Sequence, residues 1–416
     1  MLTAFSFKNF GPYRDEVRLD LRAAPAYKEH EYNLAESSMG ERLLKVVAIY
    51  GANASGKSQF VKAYQAFFRT IMESFSQVDE RSMNLSGDYV ASRGVGSALR
   101  RHYNPFKFSS DGAGETEYEA TYAVDEGEIR YGFSTDGNKV LSEWFYLVKA
   151  STKRTSILFE RDGQDVEFGS SVRSECERYA ENISEETLVL SFMSSIELKT
   201  PYFKIARSCV ARTLAFTNLS PEVVDVIIGD IAPNLVTGGM HRSLLEFLGA
   251  IDVCIEDISV ERNNDEVLVF THHRGPDGRV YRVPISIESE GTKKAIVLFS
   301  LMSAVIGTDA TLLVDELSAA LHPLLVRALI TQFYREGTKG QIVFTTHDTS
   351  MLDKRYLRRD QVWFVDKDEG GSSELYSLSD FRLRNDTNYT KGYLSGMFGA
   401  VPNLREFVLG GDAREE

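Results

Sequence analysis

Eight residues, GANASGKS (51–58), combine glycines, a lysine and a serine at a spacing that suits an anion. Glycines let backbone N–H groups close around phosphate oxygens, and a helix starting there adds the positive end of its dipole. The stretch fits G-x-x-x-x-G-K-[ST]. Gly51, Ala52, Asn53, Ala54, Ser55, Gly56, Lys57, Ser58 and the adjoining Gln59 form the expected phosphate-binding set. Lys57 is expected to reach the β- and γ-phosphates of a nucleotide, and Ser58 to hold Mg²⁺. LLVDE (312–316) places Asp315 and Glu316 after three apolar residues. Carboxylates at the C-terminal end of a central parallel strand face the crevice where ligands bind. Asp315 would orient Mg²⁺, directly or through water, and Glu316 would polarise the water that attacks a γ-phosphate. His347, closing QIVFTTH, can bond a γ-phosphate oxygen and sense its loss. The bland alternatives are two surface acids and a polar residue closing a strand.

A second anion-gripping start lies at 288–292, ESEGT, where Ser289, Gly291 and Thr292 precede an apolar-periodic helix over 290–306. One nucleotide needs one phosphate loop. The second start is useful if it meets a nucleotide held by another copy, which makes a head-to-tail pair with two composite sites. A helix cap by Ser289 explains the same residues.

These residues need a scaffold. LLKVVAIY (43–50) is continuous and β-branched, as in a strand buried on both faces, and Phe60, Tyr64, Phe67, Phe68 and Ile71 form one helical face after the loop. TLLVDEL, QIVFTTH and QVWFVD read as three further strands, with a helix over 321–334. Residues 2–8 and 17–22 alternate as half-buried strands do. Residues 77–104 read as a mobile surface loop, and turns at DEGE, TDGNK and RDGQD mark a meander of hairpins. From about 171 to 250 the pattern is helical, and a further hairpin turns at Gly275–Gly278.

The chain has 416 residues, 43% hydrophobic and 26% charged, as soluble globular proteins do. A net charge of −13 repels nucleic acid unless a basic patch intervenes. Lys354, Arg355, Arg358 and Arg359 offer a small one, so DNA contact is the less favoured reading against a solvated face. No stretch approaches the ~20 apolar residues of a membrane span, and charges interrupt any leader-like N-terminus. Cys176, Cys209 and Cys254 form no C-x-x-C pair, so a cytoplasmic location is expected. His272 and His273 lack a third metal ligand.

The order phosphate loop (Walker A), ESEGT, LLVDE (Walker B), SAALHP (318–323) and His347 resembles that of ABC ATPases. KNFGPYRDE near the N-terminus is similar to the branch that includes RecF and the SMC proteins. S-x-G-T followed by L-H-P, with RRDQVWFVDKDEGGSSELYSLSDF and KGYLSGMFGAVP, resembles OLD and RloA/AbiL-type phage-defence ATPases. The resemblance covers roughly 1–75 and 280–405. Glu290 replaces the first glycine of the usual signature, and His322 stands where transporter ATPases carry a D-loop aspartate. No Q-loop glutamine is assigned; NPFKFSS (104–110) is where the pattern places that loop.

The resemblance implies an α/β P-loop ABC-ATPase head, a mixed β-sheet flanked by helices, with an antiparallel β subdomain and an inserted helical subdomain. Its parts would be an N-terminal lobe over 1–170, a helical insertion over 171–255 and a C-terminal lobe over 256–416. It implies Mg-dependent ATP hydrolysis, an ATP-linked dimer or higher oligomer, and a separate effector, a nuclease or toxin, controlled in abortive infection. With roughly seventy residues after His347 and DKDE (366–369) reading as a hairpin tip, a built-in nuclease is not expected. A RecF-like repair ATPase and a nucleotide-bound scaffold with little turnover are the rival readings. Lys293 and Lys294 are expected to flank the nucleotide, and Tyr13 or Arg14 to touch adenine or ribose.

Overall fold

The structure, a computed structural model, describes residues 1–75, 97–109, 114–217, 219–251, 253–263, 266–384 and 387–403. The chain opens with strands β1 (Leu2–Lys8) and β2 (Val17–Asp20), a small pair β3 (Leu34–Glu36) and β4 (Arg42–Leu44), and β5 (Val46–Gly51). After the glycine loop come α1 (Lys57–Glu73) and the short α2 (Ala98–His102). The meander is β6 (Thr116–Val124), β7 (Gly127–Thr135), β8 (Val140–Lys149), β9 (Thr155–Asp162) and β10 (Asp165–Phe168). In its last turn Gly163 takes φ +57°, the left-handed backbone that a two-residue hairpin loop needs. Next are α3 (Arg173–Cys176), α4 (Val189–Ser195), α5 (Tyr202–Ala211), β11 (Thr213–Phe216), α6 (Pro221–Leu235) and α7 (Gly238–Ala250). Strands β12 (Asp257–Asn263), β13 (Glu266–Arg274) and β14 (Val280–Pro284) lead to α8 (Glu290–Ile306). The chain closes through β15 (Thr311–Val314), α9 (Pro323–Thr331), β16 (Gln341–Thr345), β17 (Val362–Lys367), β18 (Ser373–Ser377) and α10 (Tyr389–Leu394).

The central sheet has the order β11-β15-β16-β5-β17-β18. Its first five strands run parallel and β18 is antiparallel to β17. Because the side-chain period is two, each strand sends alternate residues to opposite faces. Val47, Ile49, Leu313, Val343 and Val365 join α1 and the meander in one core. Val46, Ala48, Leu312, Val314, Ile342 and Phe344 join α6, α7, α8 and α9 in the other. Burial on both faces is why these strands are continuous apolar runs rather than alternating ones.

The antiparallel sheet, β10-β9-β8-β7-β6-β1-β2, covers the outer side of α1. Phe60, Tyr64 and Phe67 pack on Phe5, and Phe60 also on Phe7. Here β1 departs from its alternating sequence. Six of its seven residues are buried, because β2 and β6 flank it and its polar positions are enclosed too. Thr3 is satisfied there by donating to Glu128 and accepting from Arg22.

The stretch 171–255 holds the expected helices and a strand its pattern did not show. β11 pairs in parallel with β15 at the edge of the central sheet. Helices before it pack into the α1 core and those after it into the other. The loop expected over 77–104 lies outside the described residues through 96; beyond them Ala98–His102 form a short helix, with Leu99 buried in the core. Ser110 also lies outside them. No helix among the described residues is long and apolar enough to cross a membrane.

Candidate functional site

The parallel order brings the C-terminal ends of β5, β15 and β16 side by side, so Gly51–Ser58, Asp315–Glu316 and His347 meet at one edge. Gly56 precedes α1 with φ +122°, and Ala54 is left-handed at φ +60°. A Cβ on Gly56 would lie 2.8 Å from Ser373 Oγ, and one on Gly51 2.5 Å from the Val365 carbonyl. Both positions therefore require glycine. The Tyr13 hydroxyl donates to the Gly56 carbonyl at 3.1 Å, and Ser373 Oγ donates to that of Ser55.

The loop opens on a cavity of about 610 Å³ lined by Asn53, Ala54, Ser55, Gly56, Lys57, Ser58 and Gln59, with Glu316 and His347 opposite. Lys57 Nζ donates to the carbonyls of Gly51 and Ala52, both at 3.1 Å, and lies 3.0 Å from His347 Nε2. His347 Nε2 is 3.1 Å from Glu316 Oε1, which is 3.9 Å from Lys57 Nζ. Lysine, imidazole and carboxylate thus form a triangle above the loop. Burial lowers the Lys57 pKa, against the pull of Glu316 and Asp315. Burial alone would raise Glu316, but the hydrogen bond and charge of His347, then Lys57 and Lys294, bring it below the usual range.

Asp315 is buried, and burial raises its pKa although Ser58 and Thr345 both hydrogen-bond it. Thr345 Oγ1 donates to Asp315 Oδ1 at 2.5 Å and accepts the Glu316 N–H at 2.9 Å. Ser58 and Asp315 touch across the cavity edge, and among the described residues no three His, Cys, Asp or Glu side chains cluster as a metal cage. Two protein groups suit Mg²⁺, which keeps waters and takes phosphate oxygens as further ligands. Among the described residues, the buried Ser55 Oγ and Gln59 Oε1 of this loop have no hydrogen-bond partner, which fits them to a phosphate and its metal.

Ser289, Gly291 and Thr292 stand apart from this cavity, at the start of α8. Ser289 is exposed and its Oγ accepts the Thr292 N–H at 3.1 Å, the cap bond. Gly291 packs against the 316–320 turn: a Cβ there would lie 2.8 Å from the Ala320 carbonyl. Glu288, just before, accepts from Thr271 and pairs with His273, both at 2.6 Å, which ties the helix start to β13. His322 Nδ1 accepts the Leu324 N–H and caps α9.

Several expectations are corrected. Tyr13 is fully buried beneath the loop and cannot meet a base, which leaves Arg14, exposed and paired with Asp15, as the other residue expected there. Lys293 does not flank the phosphates; its Nζ bonds Asp225 of α6 at 2.8 Å. Lys294 does stand beside Ser58 and Asp315, where its Nζ bonds the carbonyls of Glu316 and Ala319. Burial brings its pKa down to about 8, against Glu316 and Asp315. Arg358 is buried against Asp360 and Arg355 pairs with Asp353, so the C-terminal arginines are not an open basic face. Residues 104–108 border the phosphate cavity through Asn104, Lys107 and Phe108, on the Gly11–Pro12 side. The loop that reaches Asp315 is the one after β11. Thr217 and Lys62 line a second cavity, of about 520 Å³, with Ser58, Lys294, Asp315 and Glu316. Thr217 carries no motif signal; finding it needed the pairing of β11 beside β15.

The family described as "AAA domain, putative AbiEii toxin, Type IV TA system" matches residues 46–353, nearly three-quarters of the chain. The chain belongs to this AAA family. It is a P-loop ATPase-type protein, and that membership implies a nucleotide. Among solved structures it is similar to an SMC head bound to the C-winged helix domain of ScpA, at 16% identity and TM-score 0.43, over 90% of this chain and 97% of that one. The SMC head domain of Thermotoga maritima is similar at 15% and 0.41, over 90% and 98%. An SMC head with a coiled coil and joint from Pyrococcus yayanosii gives 12% and 0.41, over 95% and 99%. No curated protein matches the chain.

Proposed function

We propose that this AAA-family chain is a Mg-dependent ATPase of ABC type that pairs with a second copy and gates a separate effector in anti-phage defence. The observation that carries the reading is the triangle of Lys57, Glu316 and His347 standing over a glycine loop, with Ser58 and Asp315 beside it. Lys57 binds the β- and γ-phosphates, exchanging its bonds to the Gly51 and Ala52 carbonyls for bonds to phosphate. Glu316, held ionised, accepts a proton from the attacking water. His347 orients that carboxylate and bonds the γ-phosphate. Ser58 and Asp315 would hold Mg²⁺, which would supply neutralisation of phosphate charge.

Exposure of Ser289 outside its own chain's phosphate cavity supports its meeting a partner's nucleotide. The family description, which names a toxin of a toxin–antitoxin system, supports the defence setting. The resemblance to RloA-type subunits supports a separate effector.

The test is phosphate release from Mg-ATP. Wild type should turn over, and EDTA should abolish it. Glu316→Gln should lose about 10²–10⁴ in rate while retaining bound ATP. Lys57→Ala should lose both. A wild-type rate no greater than that of Lys57→Ala sinks the ATPase reading.

A further inference from the structure

The turn carrying Glu316 is held from an unexpected side. Glu316 and Ala320 are both left-handed non-glycine residues, at φ +48° and +61°, so the turn persists only because its surroundings over-determine it. Thr345 fixes its N–H side by accepting from Glu316. Its carbonyl side is fixed by α8. Lys294 is 4% exposed, and its Nζ donates to the Glu316 carbonyl at 3.0 Å and the Ala319 carbonyl at 2.9 Å. One helical turn earlier, on the same face, Gly291 lies against the Ala320 carbonyl. Nothing assigned to the phosphate loop makes these contacts.

We propose that Lys294 is a positioning residue for hydrolysis: it bridges the 316–319 turn, keeps the Glu316 carboxylate facing His347 and Lys57, and links that carboxylate to the start of α8. The inference rests on the ATPase reading. In this arrangement any movement of Ser289–Gly291 on meeting a second copy's nucleotide is passed, through one rigid helical turn, to the catalytic turn of the same chain. Lys293 anchors the same stretch of helix to Asp225, so α8 has little freedom to absorb the movement elsewhere.

The experiment compares wild type, Lys294→Met and Lys294→Gln by steady-state ATP hydrolysis and by titration with a fluorescent ATP analogue. Lys294→Met removes both donors, and Lys294→Gln keeps an amide that can replace one. The expected result is a kcat fall of about tenfold or more in Lys294→Met, since small misplacements of catalytic groups cost up to ~10²-fold. KM and nucleotide affinity should stay within about twofold, and Lys294→Gln should fall between. Equal kcat in all three proteins overturns the proposal. So does a loss of nucleotide affinity that parallels the loss of kcat, which marks a general structural role. If Lys294→Met does not fold, Lys294→Gln decides alone, by a lower kcat at unchanged affinity or by neither. A wild type without turnover is a different failure, that of the ATPase reading, and it shows before any variant is compared.

Discussion

His347 Nε2 lies within hydrogen-bonding distance of both Glu316 and Lys57, yet one ring nitrogen either donates or accepts and cannot do both at once. With Lys57 turned to its own loop carbonyls, the two contacts compete; a phosphate that draws the ammonium away leaves His347 free to donate to Glu316. A neighbouring residue makes a sharper pH prediction. Lys294 has its pKa brought from 10.5 down to about 8 by burial. Between those values the folded chain binds fewer protons than the unfolded one, so stability rises with pH through that window. Below about pH 8 the cost of the buried charge is fully present. The melting temperature of wild type relative to Lys294→Met should therefore shift in favour of wild type between pH 7 and pH 10. A difference that stays constant, or moves the other way, removes burial of the charge as the cause.

At the scale of elements, what could be read from the amino acids depended on whether a segment's surroundings were local. β5, β15 and β16 were legible because burial on both faces writes a continuous apolar run, and the residues that end them could be located from motif spacing. β11 was not. Its four residues, TLAF, sit between helices, and only pairing with β15 makes them a strand. β1 alternates in sequence but is enclosed on both faces by a packing its own residues do not announce. Lys294 was visible as a basic residue, whereas its bond to the 316–319 turn depends on how α8 docks. Glu143 shows the same limit. In sequence it is a polar position of β8, yet it is wholly buried and accepts the Val189 and Leu190 N–H groups at the start of α4, at 2.8 and 3.0 Å. Arg161, also buried, lies 3.7 Å away. Burial raises the Glu143 pKa, while Arg161 and these N–H donors oppose the rise. Glu143→Gln keeps the size but turns an amide donor toward a donor and leaves Arg161 uncompensated. Removing one partner of a buried pair costs about 3–5 kcal/mol, and urea unfolding should show a loss of about that size. A loss below about 0.5 kcal/mol would mean that α4 does not need the carboxylate to start.

For the whole molecule the decisive question is whether the start of α8 is a cap or a grip. The structure shows the cap: Ser289 Oγ accepts the Thr292 N–H. A grip needs a second molecule, because Ser289, Gly291 and Thr292 do not line the phosphate cavity of their own chain. With a net charge of −13, two copies repel at long range, so pairing has to be won locally, by a nucleotide shared across the interface. Ser289→Asp separates the two roles. Aspartate caps a helix about as well as serine, so the melting temperature should change little. Its carboxylate, however, would stand against the γ-phosphate of a partner's ATP. In the Glu316→Gln background, light scattering should show the mass doubling with Mg-ATP when Ser289 is present, and the monomer mass with Ser289→Asp. Doubling in both proteins would reduce ESEGT to a helix cap and place the pairing surface elsewhere. A doubled mass without nucleotide would make ATP a passenger of the assembly rather than its link.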